Sequence, residues 1–278
     1  MCGATRVAKL FEESPAPGFT VSVVKCCECG IIATAPQPDP EFLTNLYDTG
    51  SYKQNTVSGS YCLDEKISSA DFTPILSKLE RLTPAGKLLD VGCGMGNFLN
   101  AALAAGWDAH GVEPSPYASK LAIDRFGDRV RNELLSTDSF PKETFDAITI
   151  WYVLEHVPDP KSVLETANTL LRPGGKLFVA VPNWNYIRIR RHLISLFIGH
   201  PGSVHAHEHL YQYTSCTLRN LLVRTNFEYI SENCATPYYV SGKLINIAKH
   251  IAGLGTKALF ATTGINMGGI LVFAQKRI

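Results

Sequence analysis

Apolar positions in the central part of the chain alternate between two periods. Thr73 and Pro74 predict an N-cap and a first helical residue, after which Ile75, Leu76, Leu79 and Leu82 fall on one helical face. Lys87–Val91 is a short apolar run that ends in the cluster Gly92-Cys93-Gly94-Met95-Gly96, the pattern of a buried strand entering a tight turn. A helix is expected from about 97 to 105, closed by Gly106. Ala109–Val112 then predicts a strand ending at Glu113, and Ser115-Pro116 opens a helix that Gly127 closes. Phe145–Trp151 predicts a strand and Pro160–Leu171 a helix. Lys176–Val181 predicts a further strand after the turn Pro173-Gly174-Gly175. Strands interleaved with helices in this way predict an α/β fold: a Rossmann-like, mostly parallel sheet with helices on both faces.

The flanks read differently. Residues 1–70 are rich in Cys, Pro, Ser and Tyr with weak periodicity, and are expected to form an accessory or lid segment on a main domain of residues 71–278. Residues of about 184–215 break the alternation and predict a cap insertion. Within it Tyr186, Ile189, Leu193 and Leu196/Phe197 share a helical face, with Arg188, Arg191 and Ser195 elsewhere. A cap helix packing over the active site is expected there, with peripheral membrane contact as the alternative. After Cys216 comes a helix carrying Leu218, Leu221 and Leu222, stopped by Asn226, which tolerates the left-handed conformation. A strand, the apolar stretch Leu244–Phe260 and a final strand complete the chain.

The 278 residues hold 26 basic and 25 acidic side chains, a net charge of +1, which argues against a nucleic-acid partner. Neither a secretory signal nor an apolar run long enough to span a membrane is apparent, so a cytoplasmic protein is expected. In that setting the eight cysteines read as thiols or metal ligands and not as disulfides.

The chemistry concentrates in Leu88-Leu89-Asp90-Val91-Gly92-Cys93-Gly94-Met95-Gly96-Asn97-Phe98-Leu99. A glycine-rich turn between strand and helix lets the backbone approach a ligand and aims helix N-terminal N–H groups at it. Many nucleotides suit such a turn, and a nucleotide-dependent oxidoreductase is one alternative. The spacing, however, is G-x-G-x-G and not the dinucleotide binder's G-x-G-x-x-G. Asp90 sits at the strand end, where it can face an ammonium group. Glu113 ends the next strand, where an acid can accept hydrogen bonds from ribose hydroxyls.

This constellation resembles the class I S-adenosylmethionine (SAM)-dependent methyltransferases, over Leu88–Asn183 most clearly. Asp90–Gly96 corresponds to the family's first motif, and Phe145-Asp146-Ala147-Ile148 with Leu154-Glu155-His156-Val157 to the fourth strand and its turn. Leu171-Arg172-Pro173-Gly174-Gly175 corresponds to the lead into the fifth strand. The resemblance implies SAM as cofactor. Asp90 and Gly92 would hold the methionine end, Glu113 the ribose, and Glu133 or Leu134 would flank the adenine. Gly94, Gly96, Phe98 and Pro114 complete the cofactor set, and Trp151 would lie near the transferred methyl. A non-catalytic SAM-binding or zinc-knuckle interaction module stays open as an alternative.

Family members that methylate DNA adenine or protein glutamine carry an Asn- or Asp-Pro-Pro-aromatic turn after the fourth strand. Here that turn reads Ile150-Trp151-Tyr152-Val153, which favours a small-molecule acceptor (a sugar, polyketide or lipid-like compound) methylated on oxygen or carbon. Quinone-type O-methyltransferases, which the chain also resembles, have a Glu-x-x-Glu-His run that can bind a divalent metal. Tyr152, Glu155 and His156 stand at those positions, so the first carboxylate is missing and metal-assisted catalysis is not expected. Cys26 and Cys29 form a C-x-x-C-G knuckle, joined by Cys2 as a third candidate ligand for structural zinc. The segment Cys26–Tyr47 resembles the cysteine module preceding some sugar and natural-product C-methyltransferases. His205, His207 and His209 alternate, and are expected to form an active-site wall in preference to a metal site. Within His209-Leu210-Tyr211-Gln212-Tyr213-Thr214, His209 is the expected general base, with His156 and Tyr211 as further catalytic candidates.

Overall fold

The computed structural model describes residues 2–16, 19–39, 72–199, 202–235 and 254–278. Two sheets organise them. The first has four strands in the order β1 (Val7–Ala16), β2 (Phe19–Cys26), β3 (Ile32–Ala35) and β9 (Tyr211–Gln212), all antiparallel. The second has seven strands. Their spatial order is β10 (Phe227–Ala235), β11 (Gly269–Lys276), β8 (Leu171–Val181), β7 (Phe145–Trp151), β4 (Lys87–Val91), β5 (Asp108–Val112) and β6 (Val130–Arg131). From β8 to β6 every pairing is parallel, and β11 runs antiparallel to both its neighbours.

Helices cover both faces of the larger sheet, because successive strand residues point to opposite sides. Leu88, Phe178 and Ala180 pack with α1 (Thr73–Leu82), α2 (Asn97–Ala104) and α3 (Pro116–Phe126) through Leu79, Leu99 and Ala122. Leu89, Val91, Leu177 and Val179 pack on the other face with α4 (Pro160–Leu170) and α6 (Ser215–Arg224) through Leu164, Leu170, Leu218 and Leu222. The chain winds outward from β4 in both directions, through β5 and β6 on one side and β7 and β8 on the other. Such a switch point opens a crevice at the carboxyl ends of β4 and β7.

Local signals set most boundaries. The Ser115 hydroxyl accepts from the Ala118 N–H, Pro116 begins α3, and Gly127 ends it at φ +60°. Asn226 takes φ +64° after α6, as its tolerance of that region predicts. Thr73 is the first helical residue of α1, with Phe72 at the cap position expected for Thr73. β8 begins at Leu171, earlier than expected. Its pairing with β7 slips between Phe145 and Ala147, so the Pro173-Gly174-Gly175 turn lies inside a strand with broken register.

Two larger differences emerge. The weakly patterned N-terminus builds β1–β3, because Val21, Val23 and Ile32 bury one face against Trp184, Ile187, Val204 and Ala206. α5 (Trp184–Ile198) forms where the cap helix is expected, but it buries Trp184 and Ile187. Among the described residues Ile189, Leu193, Leu196 and Phe197 stay exposed, Phe197 to 86%. Residues 40–71 and 236–253, which include part of the cysteine module and much of Leu244–Phe260, lie outside the described residues; 254–263 are helical (α7). No described helix is long and apolar enough to cross a membrane.

Candidate active site

β4 ends at Val91 and α2 starts at Asn97, and the residues between cross the head of the crevice. Gly92, at φ +70°, has no room for a side chain, since a Cβ would come 2.5 Å from the Val153 methyl. Gly94, at φ +54°, is the reverse case: a Cβ there would meet nothing within 4 Å. That leaves bare backbone facing open space, the arrangement a closely approaching ligand needs. Glu113 braces the loop from the end of β5. Its Oε2 accepts the Gly94 N–H at 2.8 Å and its Oε1 the Ser115 N–H at 2.9 Å, tying the turn to the start of α3. Burial raises its carboxyl above the usual range, and those two N–H donors oppose the rise.

Asp90 lies beneath the same loop, 2% exposed, and accepts the Thr149 hydroxyl from neighbouring β7 at 2.7 Å. Burial pushes its carboxyl up to about 7, Thr149 pulls it down and Glu113 adds to the rise. A buried acid poised near neutrality has much to gain from a ligand cation. Asn132 fixes the next edge by donating to the carbonyls of Glu113 (2.9 Å) and Pro114 (3.1 Å). Beyond it Leu134 is 72% exposed and Glu133 is 3.9 Å from Arg131. Phe98 and Trp151 come together at 5.2 Å between ring centroids, both packed on Phe72. Phe98 is buried, its ring held between Phe72 and Trp151. The Trp151 indole N–H is buried without a partner among the described residues.

The turn after β7 forms the other wall. Tyr152 takes φ +52°, strained for a residue with a side chain, and donates its N–H to Ala180 O at 2.8 Å. The segment 204–213 is zipped along this turn. Tyr211 N–H reaches Glu155 O, Tyr211 Oη donates to Pro158 O at 3.0 Å, and Tyr213 Oη donates to Leu154 O at 3.0 Å. Tyr211 therefore anchors the wall. His156 and His209 face one another with ring centroids 4.8 Å apart. His156 Nδ1 lies 2.9 Å from Glu208 O, and since a carbonyl only accepts, Nδ1 carries the proton. Burial, then the neighbouring His156, hold the His209 imidazole well below its ordinary pKa, so it is neutral at pH 7. Burial pushes the Glu155 carboxyl up to about 8.

The small sheet holds that wall in place. β3 pairs with β9 through Ala33 and Tyr211, and the Thr34 hydroxyl donates to Ala206 O at 2.8 Å. The Glu13 carboxylate accepts from Val204 N–H (2.9 Å) and Ala206 N–H (2.8 Å). Nothing in the spacing of Glu13, Thr34 or Thr149 singled them out, because each acts on residues distant in sequence. Below β2 the thiols of Cys2, Cys26 and Cys29 converge, all within 4.8 Å, with Cys2 and Cys26 sulfurs 3.5 Å apart. The Cys29 N–H holds the Cys26 thiol below its usual range, and burial pushes Cys29 up.

A family model described as a methyltransferase domain matches residues 66–232. Among curated proteins, the ubiquinone biosynthesis O-methyltransferase of Xanthomonas axonopodis pv. citri (strain 306) is 36% identical over 110 residues, 37% of this chain and 46% of the relative. Its counterpart from Thiobacillus denitrificans (strain ATCC 25259 / T1) is 39% identical over 106 residues, 36% of this chain and 45% of the relative. The match thus spans about half the length of these relatives. Two solved structures share the fold. A SAM-dependent methyltransferase from Mesorhizobium loti aligns at TM-score 0.52 and 19% identity, covering 74% of this chain and 98% of its own. The 1,6-didemethyltoxoflavin-N1-methyltransferase of Burkholderia thailandensis, solved with bound 1,6-didemethyltoxoflavin and S-adenosylhomocysteine, aligns at 0.56 and 17%, covering 96% and 99%.

Proposed function

The chain belongs to the methyltransferase-domain family, and from that membership we propose that it transfers the methyl group of SAM to an oxygen of a small-molecule acceptor. Membership sets aside the oxidoreductase reading of the glycine loop. The observation that carries the proposal is the joining of Glu113 to Gly94 over buried Asp90 at the switch point of the sheet, with the His156–His209 pair on the facing turn. Oxygen is favoured over carbon because the curated relatives are named O-methyltransferases. A sugar, polyketide or lipid-like compound is the class of acceptor.

The bound cofactor supplies a methyl group already made electrophilic by the sulfonium, so the protein's task is mainly alignment. Asp90 would receive the ammonium end, and Glu113 the ribose from the position it already holds under Gly94. Glu133 or Leu134 would border the adenine, with Trp151 toward the methyl. His209, neutral and half-buried, accepts the acceptor hydroxyl's proton as its oxygen attacks, and His156 orients it. Tyr211 shapes the pocket through its bond to Pro158.

The same reading includes a structural zinc on Cys2, Cys26 and Cys29. Tetrahedral Zn–S bonds of about 2.3 Å place ligand sulfurs about 3.8 Å apart, and the three thiols already cluster near that spacing. Such an ion would tie the N-terminus to the end of β2. Metal analysis of protein purified without added zinc should find one equivalent, absent from a Cys26→Ser/Cys29→Ser variant.

Calorimetry with S-adenosylhomocysteine, and mass spectrometry of hydroxylated acceptors incubated with SAM, test the proposal. One binding site and the gain of one methyl on an acceptor oxygen are expected. Tighter binding of NADH than of S-adenosylhomocysteine would overturn it.

A further inference from the structure

Glu155 lies in the interior, 1% exposed, and its Oε2 has no hydrogen-bond partner among the described residues. Its carboxyl stands with both histidines: one oxygen of Glu155 and one nitrogen each of His156 and His209 all lie within 4.8 Å of one another. We infer that the Glu155 carboxyl joins the two imidazoles, donating to His156 and accepting from His209, and so leaves Nε2 as the nitrogen of His209 that takes the acceptor's proton. This makes Glu155 a positioning residue, and it rests on the reading of His209 as the base.

The directions of the hydrogen bonds follow from the end that is fixed. His156 Nδ1–H donates to Glu208 O at 2.9 Å, so His156 Nε2 holds a lone pair, 3.9 Å from Glu155 Oε1. An ionised carboxylate there would set lone pair against lone pair, whereas a protonated carboxyl can donate. Burial favours the protonated form; Glu208 adds to the effect and the residue's own N–H opposes it, which leaves the carboxyl at about 8. With the proton on Oε1, Oε2 is an acceptor in want of a donor. His209 Nδ1 is a buried nitrogen without a partner among the described residues. A proton on His209 Nδ1 satisfies both atoms, each costly to leave unpaired in the interior. The 3.9 Å separation exceeds a hydrogen bond, and contacts of this kind commonly tighten in the substrate complex.

The series Glu208 O, His156, Glu155, His209 thus decides a tautomer. Neutral imidazole carries one proton, and placing it on Nδ1 makes Nε2 the base. The backbone on both sides keeps the groups in register. Tyr211 N–H donates to Glu155 O, and Tyr213 Oη donates to Leu154 O at 3.0 Å. His205 stands apart from the series, its Nδ1 3.3 Å from Glu208 Oε1.

Nitrogen-15 spectra of histidine-labelled protein read the tautomers without an acceptor. We expect Nδ1–H on both His156 and His209 at neutral pH, assigned with the single alanine variants. Infrared difference spectra of wild type against Glu155→Gln should show the carbonyl stretch of a protonated carboxyl near pH 6, fading as pH passes about 8. Glu155→Leu should move the His209 proton off Nδ1 and lower turnover by roughly 10² to 10⁴, since an Nε2–H cannot take a proton. Glu155→Gln, whose amide can donate to His156 and accept from His209, should keep the tautomer and lose no more than about 10-fold, the worth of one weakened hydrogen bond. An Nε2–H on His209 in the wild type, or a Glu155 already ionised near pH 6, overturns the bridge, and both are read on the wild type should the leucine variant fail to fold. The two readings fail separately. An Nδ1–H that depends on Glu155, with wild-type turnover in His209→Ala, keeps the bridge and removes the base. Lost turnover in His209→Ala, with wild-type tautomer and turnover in Glu155→Leu, does the reverse.

Discussion

The ring of His209 meets the ring of His156 nearly edge-on, with centroids 4.8 Å apart and planes at 78°. His156 is fixed through Nδ1 to the Glu208 carbonyl, so it holds the position of its partner. Burial keeps His209 neutral across the physiological range. His209→Ala should therefore leave S-adenosylhomocysteine affinity near wild type while lowering turnover by roughly 10² to 10⁴, the usual worth of a general base. His156→Ala should lower turnover by less, since it positions His209. Steady-state kinetics beside calorimetry checks both, and wild-type turnover in His209→Ala with a large loss in His156→Ala would transfer the base to His156.

The glycine loop predicts a different split. Gly94→Val combines a φ of +54°, unfavourable for a branched side chain, with methyl groups projecting into the open space above the backbone. Binding of S-adenosylhomocysteine should vanish. Glu113→Ala removes the acceptor of the Gly94 and Ser115 N–H groups as well as the proposed ribose contact. Its affinity should fall by about 10-fold or more, the equivalent of one or two hydrogen bonds to a charged group. Retained affinity in both variants would place the cofactor elsewhere.

How much of this was legible in the chain follows from the range of the interactions. The β-α alternation from Thr73 to Val181, the glycine loop, and the stops at Gly127 and Asn226 are local, carried by periodicity and by residues that tolerate positive φ. The N-terminal sheet was not legible, because β3 finds its partner in the two-residue strand Tyr211–Gln212. The buried face of α5 was misjudged for a similar reason. Trp184 and Ile187 pack on Val21 and Val23, and only tertiary structure selects that face over the longer stripe from Ile189 to Phe197. Within the site Asp90 and Glu113 stood out by position, whereas Thr149, the partner of Asp90, is an ordinary strand residue in sequence.

Asp90 also predicts the pH dependence of stability. Its carboxyl sits at about 7 in the folded protein against a usual value of 3.8. Between those values the native state holds a proton that the unfolded chain releases, so stability falls as pH rises from about 4 to about 7. A shift of this size corresponds to about 4 kcal/mol at most. Glu155, at about 8, acts in the same direction. Asp90→Asn keeps a partner for Thr149 without the titration. Thermal unfolding midpoints of variant and wild type should coincide near pH 4, with the variant melting higher near pH 8. A gap that does not change with pH contradicts the assignment. The same variant should bind S-adenosylhomocysteine more weakly, since it lacks the charge proposed to meet the ammonium.

Glu13 offers the sharpest test that the small sheet serves the site. Its carboxylate receives the N–H groups of Val204 and Ala206, just ahead of His209, while Thr34 holds the Ala206 carbonyl from the next strand but one. Glu13→Ala would strand two backbone donors, a local cost of about 1–3 kcal/mol. The glycine loop lies on the other sheet and does not share these bonds. Amide exchange at Ala206 should accelerate by about 5- to 150-fold, the equivalent of that cost. Turnover should fall with S-adenosylhomocysteine affinity unchanged, and Glu13→Gln, whose amide oxygen can take one of the two N–H groups, should recover part of it. Unchanged exchange at Ala206 would mean that β1 does not hold the wall, and the proposed link between the accessory sheet and the methyl acceptor would fail with it.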